Sequence, residues 1–324
     1  MSFSITIDSE DKRVAVPAEE AETLLSVLLS AGFSGVEAPC GGKGRCRKCA
    51  VTVTGPVRGL DGGRIHTAAE EALLACRYAP AGDVTITLPR AAAMTVVTAG
   101  AEGIGPSEES GLGLAVDIGT TTVAVLLYDL STGERLAAVG ERNAQRGYGA
   151  DVISRIAACP DGGLAAMRDA IRGQLTSLAL ALCRRAGRDP AELRRAVIAG
   201  NTVMEHLFDG LDPTGIGVAP FTPASLFGDE RAGASCLPEL GADLPVLLCP
   251  CVSGYVGGDI TAGLAATDGD QVEGLRLFVD IGTNGEMALG NREGYLTCAT
   301  AAGPAFEGAE IACGMDGAPG AIDR

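Results

Sequence analysis

The chain has 324 residues, 47% of them apolar, 11 cysteines and a formal net charge of −16. That length accommodates two or three domains with real cores, and so acidic a surface repels phosphate backbones, which argues against nucleic acid as a partner. No apolar signal segment opens the chain, and the longest apolar stretch, residues 175–183, is too short to cross a bilayer, so the sequence predicts a cytoplasmic protein with no membrane partner.

Residues 2–8 and 13–17 alternate apolar and polar positions around Ser9-Glu10-Asp11-Lys12, a hairpin pattern. Residues 20–30 put Leu24, Val27 and Leu28 on one face of a helix that Gly32 can end. Next comes the Gly-rich run Cys40-Gly41-Gly42-Lys43-Gly44-Arg45-Cys46-Arg47-Lys48-Cys49, with Cys76 further on. C-x5-C-x2-C with a distant fourth cysteine is the wiring of a [2Fe-2S] cluster, which needs four thiolates converging on two irons and a loop wrapped tightly enough for backbone N–H groups to reach the sulfurs. Zinc usually takes ligands in two short pairs, and only Cys46 and Cys49 are so paired. Disulfides would need an oxidising compartment, for which nothing in the sequence argues. A strand at 50–54, a short helix near 68–75 and a strand at 84–88 complete the unit, which resembles the adrenodoxin-like and plant-type β-grasp ferredoxins over roughly the first ninety residues. The other seven cysteines, Cys159, Cys183, Cys236, Cys249, Cys251, Cys298 and Cys313, are expected to be small buried hydrophobes. In Cys249-Pro250-Cys251 strand alternation sends the two thiols to opposite faces.

Residues 91–113, rich in Ala, Gly, Ser and Glu, read as a linker of 23 residues. As a free coil such a segment averages about 25 Å end to end and reaches about 70 Å when extended. A buried strand then delivers Asp117 to its end, followed by Gly119, Thr120, Thr121 and Thr122. Glycine permits a tight turn, and hydroxyls with backbone N–H groups suit a phosphate cradle in which the carboxylate holds Mg²⁺ or orients a water. The device recurs as Asp280-Ile281-Gly282-Thr283-Asn284-Gly285-Glu286, again between apolar strands. Two copies of D-I-G-T imply a duplicated fold whose lobes each present one loop to a cleft. The pattern resembles the acetate and sugar kinase/Hsp70/actin superfamily, which implies ATP as ligand, phosphate binding by Gly119, Thr120, Thr121, Thr122, Gly282, Thr283, Asn284 and Gly285, and catalytic carboxylates at Asp117, Asp280 and Glu286.

Between the copies, residues 149–158 and 164–186 read as helices, and Asp189-Pro190 as the start of another. Residues 196–199 read as a strand running into Gly200-Asn201-Thr202, and His206 as a core residue. Asp259 is either a further carboxylate near the metal or a helix N-cap. The expected fold class is thus an α+β β-grasp ferredoxin domain (1–90), a linker (91–113) and α/β actin-like ATPase, ribonuclease H-like lobes (114–205 and 206–324). Only 38 residues follow Glu286 and no Gly-rich adenosine-binding stretch is visible, so the second lobe is expected to be incomplete and the chain truncated.

A ferredoxin joined to this ATPase fold resembles the reductive activators of corrinoid enzymes. The resemblance extends to Asn143-Ala144-Gln145-Arg146-Gly147-Tyr148-Gly149-Ala150-Asp151, Ala199-Gly200-Asn201-Thr202-Val203-Met204-Glu205-His206-Leu207 and Ala301-Ala302-Gly303-Pro304-Ala305-Phe306-Glu307-Gly308-Ala309. It implies ATP-dependent transfer of one electron from the cluster to Co(II) of a corrinoid protein in a methyltransferase system, regenerating Co(I). Its partners would be that corrinoid (cobalamin-type) protein and an upstream low-potential electron donor, in anaerobic metabolism, with a homodimer left open. Two other readings remain: a ferredoxin-type electron carrier with a nucleotide-sensing domain, and a cluster-regulated metabolite kinase. Lys43, Arg45, Arg47, Lys48 and Arg77 place a positive collar around the cysteines of an otherwise acidic chain, expected to dock an acidic face of a redox partner.

Overall fold

The computed structural model describes residues 2–9, 13–19, 22–31, 33, 36, 38, 40–88, 103–282 and 284–300. Two compact units emerge, one built on the N-terminal residues together with the segment Ala144–Ala150, the other on most of the remainder.

In the first unit, β1 (Ser2–Asp8) and β2 (Arg13–Glu19) form the expected antiparallel hairpin, with positions 10–12 of its turn outside the described residues. Helix α1 (Leu24–Ser30) is shorter than the expected 20–30 because Thr23 caps it, its hydroxyl accepting from the Ser26 N–H at 2.9 Å. The helix ends at Ala31, whose N–H reaches the Leu29 and Val27 carbonyls; Gly32, expected as the stop, lies outside the described residues. Strands β3 (Ala50–Gly59), β4 (Ile65–Leu74), β5 (Tyr78–Pro80) and β6 (Val84–Thr87) complete a sheet ordered β2-β1-β6-β3-β4, with β5 on β3. Strand β6 runs parallel to β1 and antiparallel to β3, and Leu24, Val27 and Leu28 share one core with Ile5, Ile7, Val53 and Ile86. This is the β-grasp arrangement. The short helix expected near 68–75 is instead strand β4, paired with β3 from Ala50↔Leu74 to Arg58↔Ile65. Only the turn Ala75–Arg77 is helical there. Its alanines and glutamates favour a helix locally, but the open edge of β3 needs partners for its N–H and C=O groups, and that pairing overrides propensity.

In the second unit, β7 (Leu112–Ile118), β8 (Thr122–Asp129) and β9 (Arg135–Arg142) form an antiparallel meander. Strands β10 (Leu193–Gly200) and β12 (Pro245–Leu248) add in parallel beside β7, and the short β11 (Glu230–Ala232) closes the edge, giving the order β11-β12-β10-β7-β8-β9. That is the ribonuclease H-like sheet of an actin-like ATPase lobe. Helix α2 (Val152–Ala158) starts later than the expected 149 because Asp151 and Ser154 cap each other reciprocally. Helix α3 (Gly163–Ala186) lies against β8 and β9, with Ile171, Leu175, Leu178 and Leu182 buried. Asp189 caps as expected, but the element it opens is a single turn, Pro190–Glu192, leading directly into β10. Of the expected linker, residues 91–102 lie outside the described residues, while Ile104 and Ser107 donate backbone hydrogen bonds to the Gly133 and Leu130 carbonyls.

Helix α4 (Thr202–Asp209) follows β10, the single-turn α5 (Gly233–Cys236) follows β11, and α6 (Gly258–Ala266) precedes a second meander, β13 (Arg276–Ile281), β14 (Gly285–Asn291) and β15 (Gly294–Thr300). One face of this meander packs Phe278 and Ala288 against Ile260 of α6. The other carries Leu277, Ile281, Leu289 and Leu296, all exposed. Cys298, expected to be buried, is exposed on that second face because its register partner is Met287, two residues along from the Leu289↔Leu296 pair and so on the same face. Cys159, Cys183, Cys236, Cys249 and Cys251 are buried as expected, and Cys313 lies outside the described residues.

Gly257 brings the start of α6 against the β10–α4 turn: a Cβ there would lie 2.5 Å from Asn201 Cα and 2.6 Å from both Gly200 O and Thr202 N. These are backbone atoms that cannot swing aside, so Gly257→Ala is expected to destabilise the unit by about 1–3 kcal/mol. Gly173→Ala, within α3 and with open space around it, is expected to stabilise by about 0.5–1 kcal/mol. Unfolding midpoints of the two variants measure the difference, and equal midpoints would contradict the close approach.

Candidate functional site

The first site is the loop between α1 and β3. Gly41, Gly42 and Gly44 take φ values of 60°, 75° and 73°, which glycine adopts without steric cost. The turn brings the four cysteines together in two pairs, Cys40 with Cys46 and Cys49 with Cys76, each with sulfurs 3.3 Å apart. Cys49 and Cys76 are buried, while Cys40 and Cys46 keep partial access to solvent. Burial opposes ionisation of Cys40, yet N–H groups of Cys46, Arg45 and Gly44 bring its thiol down to about 7. Burial and the Cys49 thiol push Cys76 up to about 12. Two thiol pairs, with backbone donors aimed at the sulfurs, fit a cluster in which each iron takes two cysteines.

The second site forms where β7 and β13 end. Asp117 stands at the C-terminal end of β7 and Gly119-Thr120-Thr121 make the turn into β8. This turn is braced from behind by residues far away in sequence. Asn143 Nδ2 donates to the Gly119 carbonyl at 2.8 Å, Asn201 Nδ2 donates to Thr120 Oγ1 at 3.0 Å, and the buried Arg155 guanidinium donates to the Thr120 carbonyl and lies 3.0 Å from Met204 Sδ. Thr120 is accordingly buried, and Gly119, Thr121 and Thr122 are the more accessible residues of the loop. In the second copy Asp280 and Glu286 are register partners across β13 and β14, and the Gly282 N–H donates to the Asn284 carbonyl at 2.9 Å. Thr283 lies outside the described residues.

The fold gathers carboxylates here. Asp117 keeps an open side to solvent, but the protein packed around it and the nearby Asp280 push its pKa up to about 6. Burial, Asp280 and Asp117 raise Asp259 to about 6, against the pull of the Ile260 N–H. Burial, Asp259 and Asp280 raise Glu286 to about 7. Asp259 is not the N-cap of α6: Gly257 holds that place and Asp259 is the second helical residue, its carboxylate accepting from the Ile260 N–H at 2.8 Å and within reach of the charges of Asp280 and Asp117. Among the described residues no three His, Cys, Asp or Glu side chains stand ready to hold a single metal ion. The arrangement suits Mg²⁺ instead, which is usually held by one or two carboxylates with water and substrate phosphate supplying the rest.

Glu205 lies on α4, within the segment 199–207, and neither charge pattern nor periodicity marks it as a site residue. It is fully buried against Gly258 and Cys249, and neither carboxylate oxygen has a hydrogen-bond partner. Burial, then Asp259, raises it to about 9, so it carries a proton at neutral pH. Cys249 and Cys251 follow the end of β12, outside any strand, and both are buried. His206 is the core residue expected: its Nδ1 lies 2.7 Å from the Thr202 carbonyl and its Nε2 accepts the Ala224 N–H at 3.1 Å.

A thiolate loop on a β-grasp sheet and a carboxylate-lined double loop on an actin-like sheet define a two-part class, a ferredoxin unit joined to an ATPase fold. Comparison with known families agrees part by part. A 2Fe-2S iron-sulfur cluster binding domain matches residues 7–81, the RACo middle region matches 112–271, and the C-terminal domain of RACo, the ASKHA domain, matches 274–324. The chain belongs to the RACo family. It is 37% identical over 214 residues to the corrinoid activation enzyme RamQ of Eubacterium limosum, covering 65% of this chain and 36% of that one. It is 26% identical over 222 residues to the [Co(II) methylated amine-specific corrinoid protein] reductase of Methanosarcina barkeri, covering 65% of this chain and 40% of that one. Among solved structures it superposes on a reductive activator for corrinoid, iron-sulfur protein with a TM-score of 0.60 at 29% identity, covering 97% of this chain and 65% of that one. The chain thus spans 36–40% of the length of these curated relatives.

Replacing Cys40, Cys46, Cys49 or Cys76 singly by Ala is expected to abolish the visible absorbance and bound iron of the reconstituted protein. Cys159→Ala and Cys183→Ala are expected to leave both unchanged. The acid cluster makes a separate prediction. An acid whose folded pKa is raised destabilises the folded state as pH climbs through the ordinary value, and the full penalty stands above the raised one. For Asp117, Asp259 and Glu286 the penalty therefore grows from about pH 4 to about pH 7. Asp280→Asn removes a negative neighbour common to all three. It is expected to raise the unfolding midpoint in metal-free buffer at about pH 8 and to lose that effect near about pH 5; a variant no more stable than the parent at the higher pH would contradict like-charge crowding.

Proposed function

We propose that this protein is an ATP-dependent reductive activator of a corrinoid protein, returning Co(II) to Co(I) by one-electron transfer. The observation that carries the reading is the presence in one chain of four converging thiols and of two strand ends that bring Asp117 and Asp280 within electrostatic reach of each other. The named relatives and the matched structure act on corrinoid proteins or carry that role in their names.

Cys40, Cys46, Cys49 and Cys76 hold the cluster, and when bound it supplies a one-electron carrier of low potential, near −400 mV for plant-type centres. Every ~59 mV by which an acceptor lies lower costs a factor of ten in a one-electron equilibrium, so an unfavourable transfer needs a bias. The second site supplies it in this reading. Asp117 and Asp280 would hold Mg²⁺, whose positive charge would relieve the crowding of acids, and the backbone of Gly119 to Thr122 and of Gly282, Asn284 and Gly285 would cradle the phosphates. Glu286, with a pKa near neutrality, accepts the proton of an attacking water. Arg155, Asn143 and Asn201 hold the first loop still, so that nucleotide would meet a turn already formed. An upstream low-potential donor reloads the ferredoxin unit.

The test is anaerobic and spectroscopic. The reduced complete gene product is mixed with a Co(II) corrinoid protein from the same cell, with and without MgATP. Co(I) is expected only with MgATP. Equal reduction without nucleotide would favour a plain electron carrier with a nucleotide sensor, and a phosphorylated small molecule would favour a cluster-regulated kinase.

A further inference from the structure

The thiolate loop has a one-sided exposure. Cys49 and Cys76 are buried in the ferredoxin core, and only Cys40 and Cys46 reach solvent. An electron therefore has its short route through the Cys40/Cys46 edge. That edge is ringed by charge of one sign. Between Glu37 and Asp61 the sequence holds Lys43, Arg45, Lys48, Arg47 and Arg58 and no acidic residue, in a chain whose net charge is −16.

Lys43, Arg45, Arg47 and Arg77 are all exposed. The Arg77 guanidinium crosses over Gly44, where a Cβ would overlap its Nε, so Arg77 joins the collar from the far side of the fourth cysteine. None of these four forms an ion pair among the described residues, whereas Arg168, Arg188, Arg195, Arg231 and Arg292 in the second unit are each paired with a carboxylate. Arg47 also stands at φ 61°, a left-handed position where glycine would be free of strain. A long cation is kept at a position whose backbone favours no side chain.

We propose that this collar is the docking face for an acidic one-electron carrier protein, the donor that reloads the cluster. The inference rests on the cluster assignment and extends the proposed function to its input side. A corrinoid acceptor can be held in complex while nucleotide binds, but a diffusing carrier has only the encounter, and electrostatic steering is what accelerates an encounter. Away from the collar the net-acidic surface repels an acidic carrier, so attraction and productive orientation coincide at one edge. In the transfer one electron leaves the carrier, which is oxidised, and enters the site held by Cys40, Cys46, Cys49 and Cys76, which is reduced; no bond forms or breaks.

The probe is a flavodoxin, an acidic flavin carrier. Binding of the oxidised form to the reconstituted protein is measured by calorimetry at low and at physiological salt, and reduction of the cluster by the hydroquinone form is followed by stopped flow. The parent protein is expected to lose affinity and rate by about tenfold or more as salt rises. The double reversal Arg45→Glu/Arg47→Glu is expected to lose about tenfold or more of both at low salt with its visible spectrum unchanged. Equal binding and equal rates in parent and variant, or a salt-independent rate in the parent, would overturn the proposal. If the double variant loses its absorbance, Lys43→Glu carries the same expectation and the same refutation. A parent protein with no cluster spectrum would refute the cluster assignment instead, and its calorimetric salt dependence would still decide whether an acidic carrier docks.

Discussion

Crowding of like charge is the constraint around which the second unit is organised. Asp117, Asp259, Asp280 and Glu286 come from β7, α6, β13 and β14; Asp280 raises the pKa of the other three, Asp117 adds to that of Asp259, and Asp259 to that of Glu286. Without a cation such a group costs stability, because desolvated carboxylates repel one another and find no compensating charge. The fold tolerates the cost through backbone packing nearby. Gly257 and Gly258 let α6 approach β10 and α4 at distances no side chain would permit, and Glu205 behind them holds a proton rather than adding a further charge. A divalent cation with phosphate would relieve that imbalance at the strand ends where Asp117 and Asp280 stand.

The segments through which the chain resembles its family acquire a physical role in this light. Asn143, Arg155 and Asn201 lie outside the two D-I-G-T loops, yet their side chains converge on Gly119 and Thr120 from three different segments. A loop that must receive a phosphate cannot also be held from the front, so its carbonyls and one hydroxyl are anchored from the rear. Met204 completes the brace, its sulfur lying between Asn143 and Arg155.

The ferredoxin unit solves a different problem, that of gathering four sulfurs without a large core. Three left-handed glycines fold the loop, and the sheet beneath it supplies rigidity through β3, which pairs with β4, β5 and β6. Here local propensity misled: the residues of β4 favour a helix in isolation, and only the unfilled edge of β3 makes them a strand. Cys298 fails for the complementary reason, since burial depends on what covers a sheet face, and the outer face of β13–β15 is apolar but exposed.

Several features were legible in the amino-acid order alone, because each is set by chemistry that acts over a few residues. The spacing of Cys40, Cys46 and Cys49 with their glycines announces a loop of converging thiols, and the repeated Asp-Ile-Gly announces two turns that carry a carboxylate to a strand end, since turn geometry is a local demand. The hairpin of β1 and β2, the long α3 and the neutral core role of His206 follow from periodicity in the same way. Tertiary structure alone decided the pairing of the four thiols into two couples, the meeting of Asp259 with Asp117 and Asp280, the protonated Glu205 and the brace behind Thr120. Each of these depends on distances between residues tens to more than a hundred positions apart, and burial, charge coupling and steric approach are properties of that three-dimensional neighbourhood rather than of any one segment.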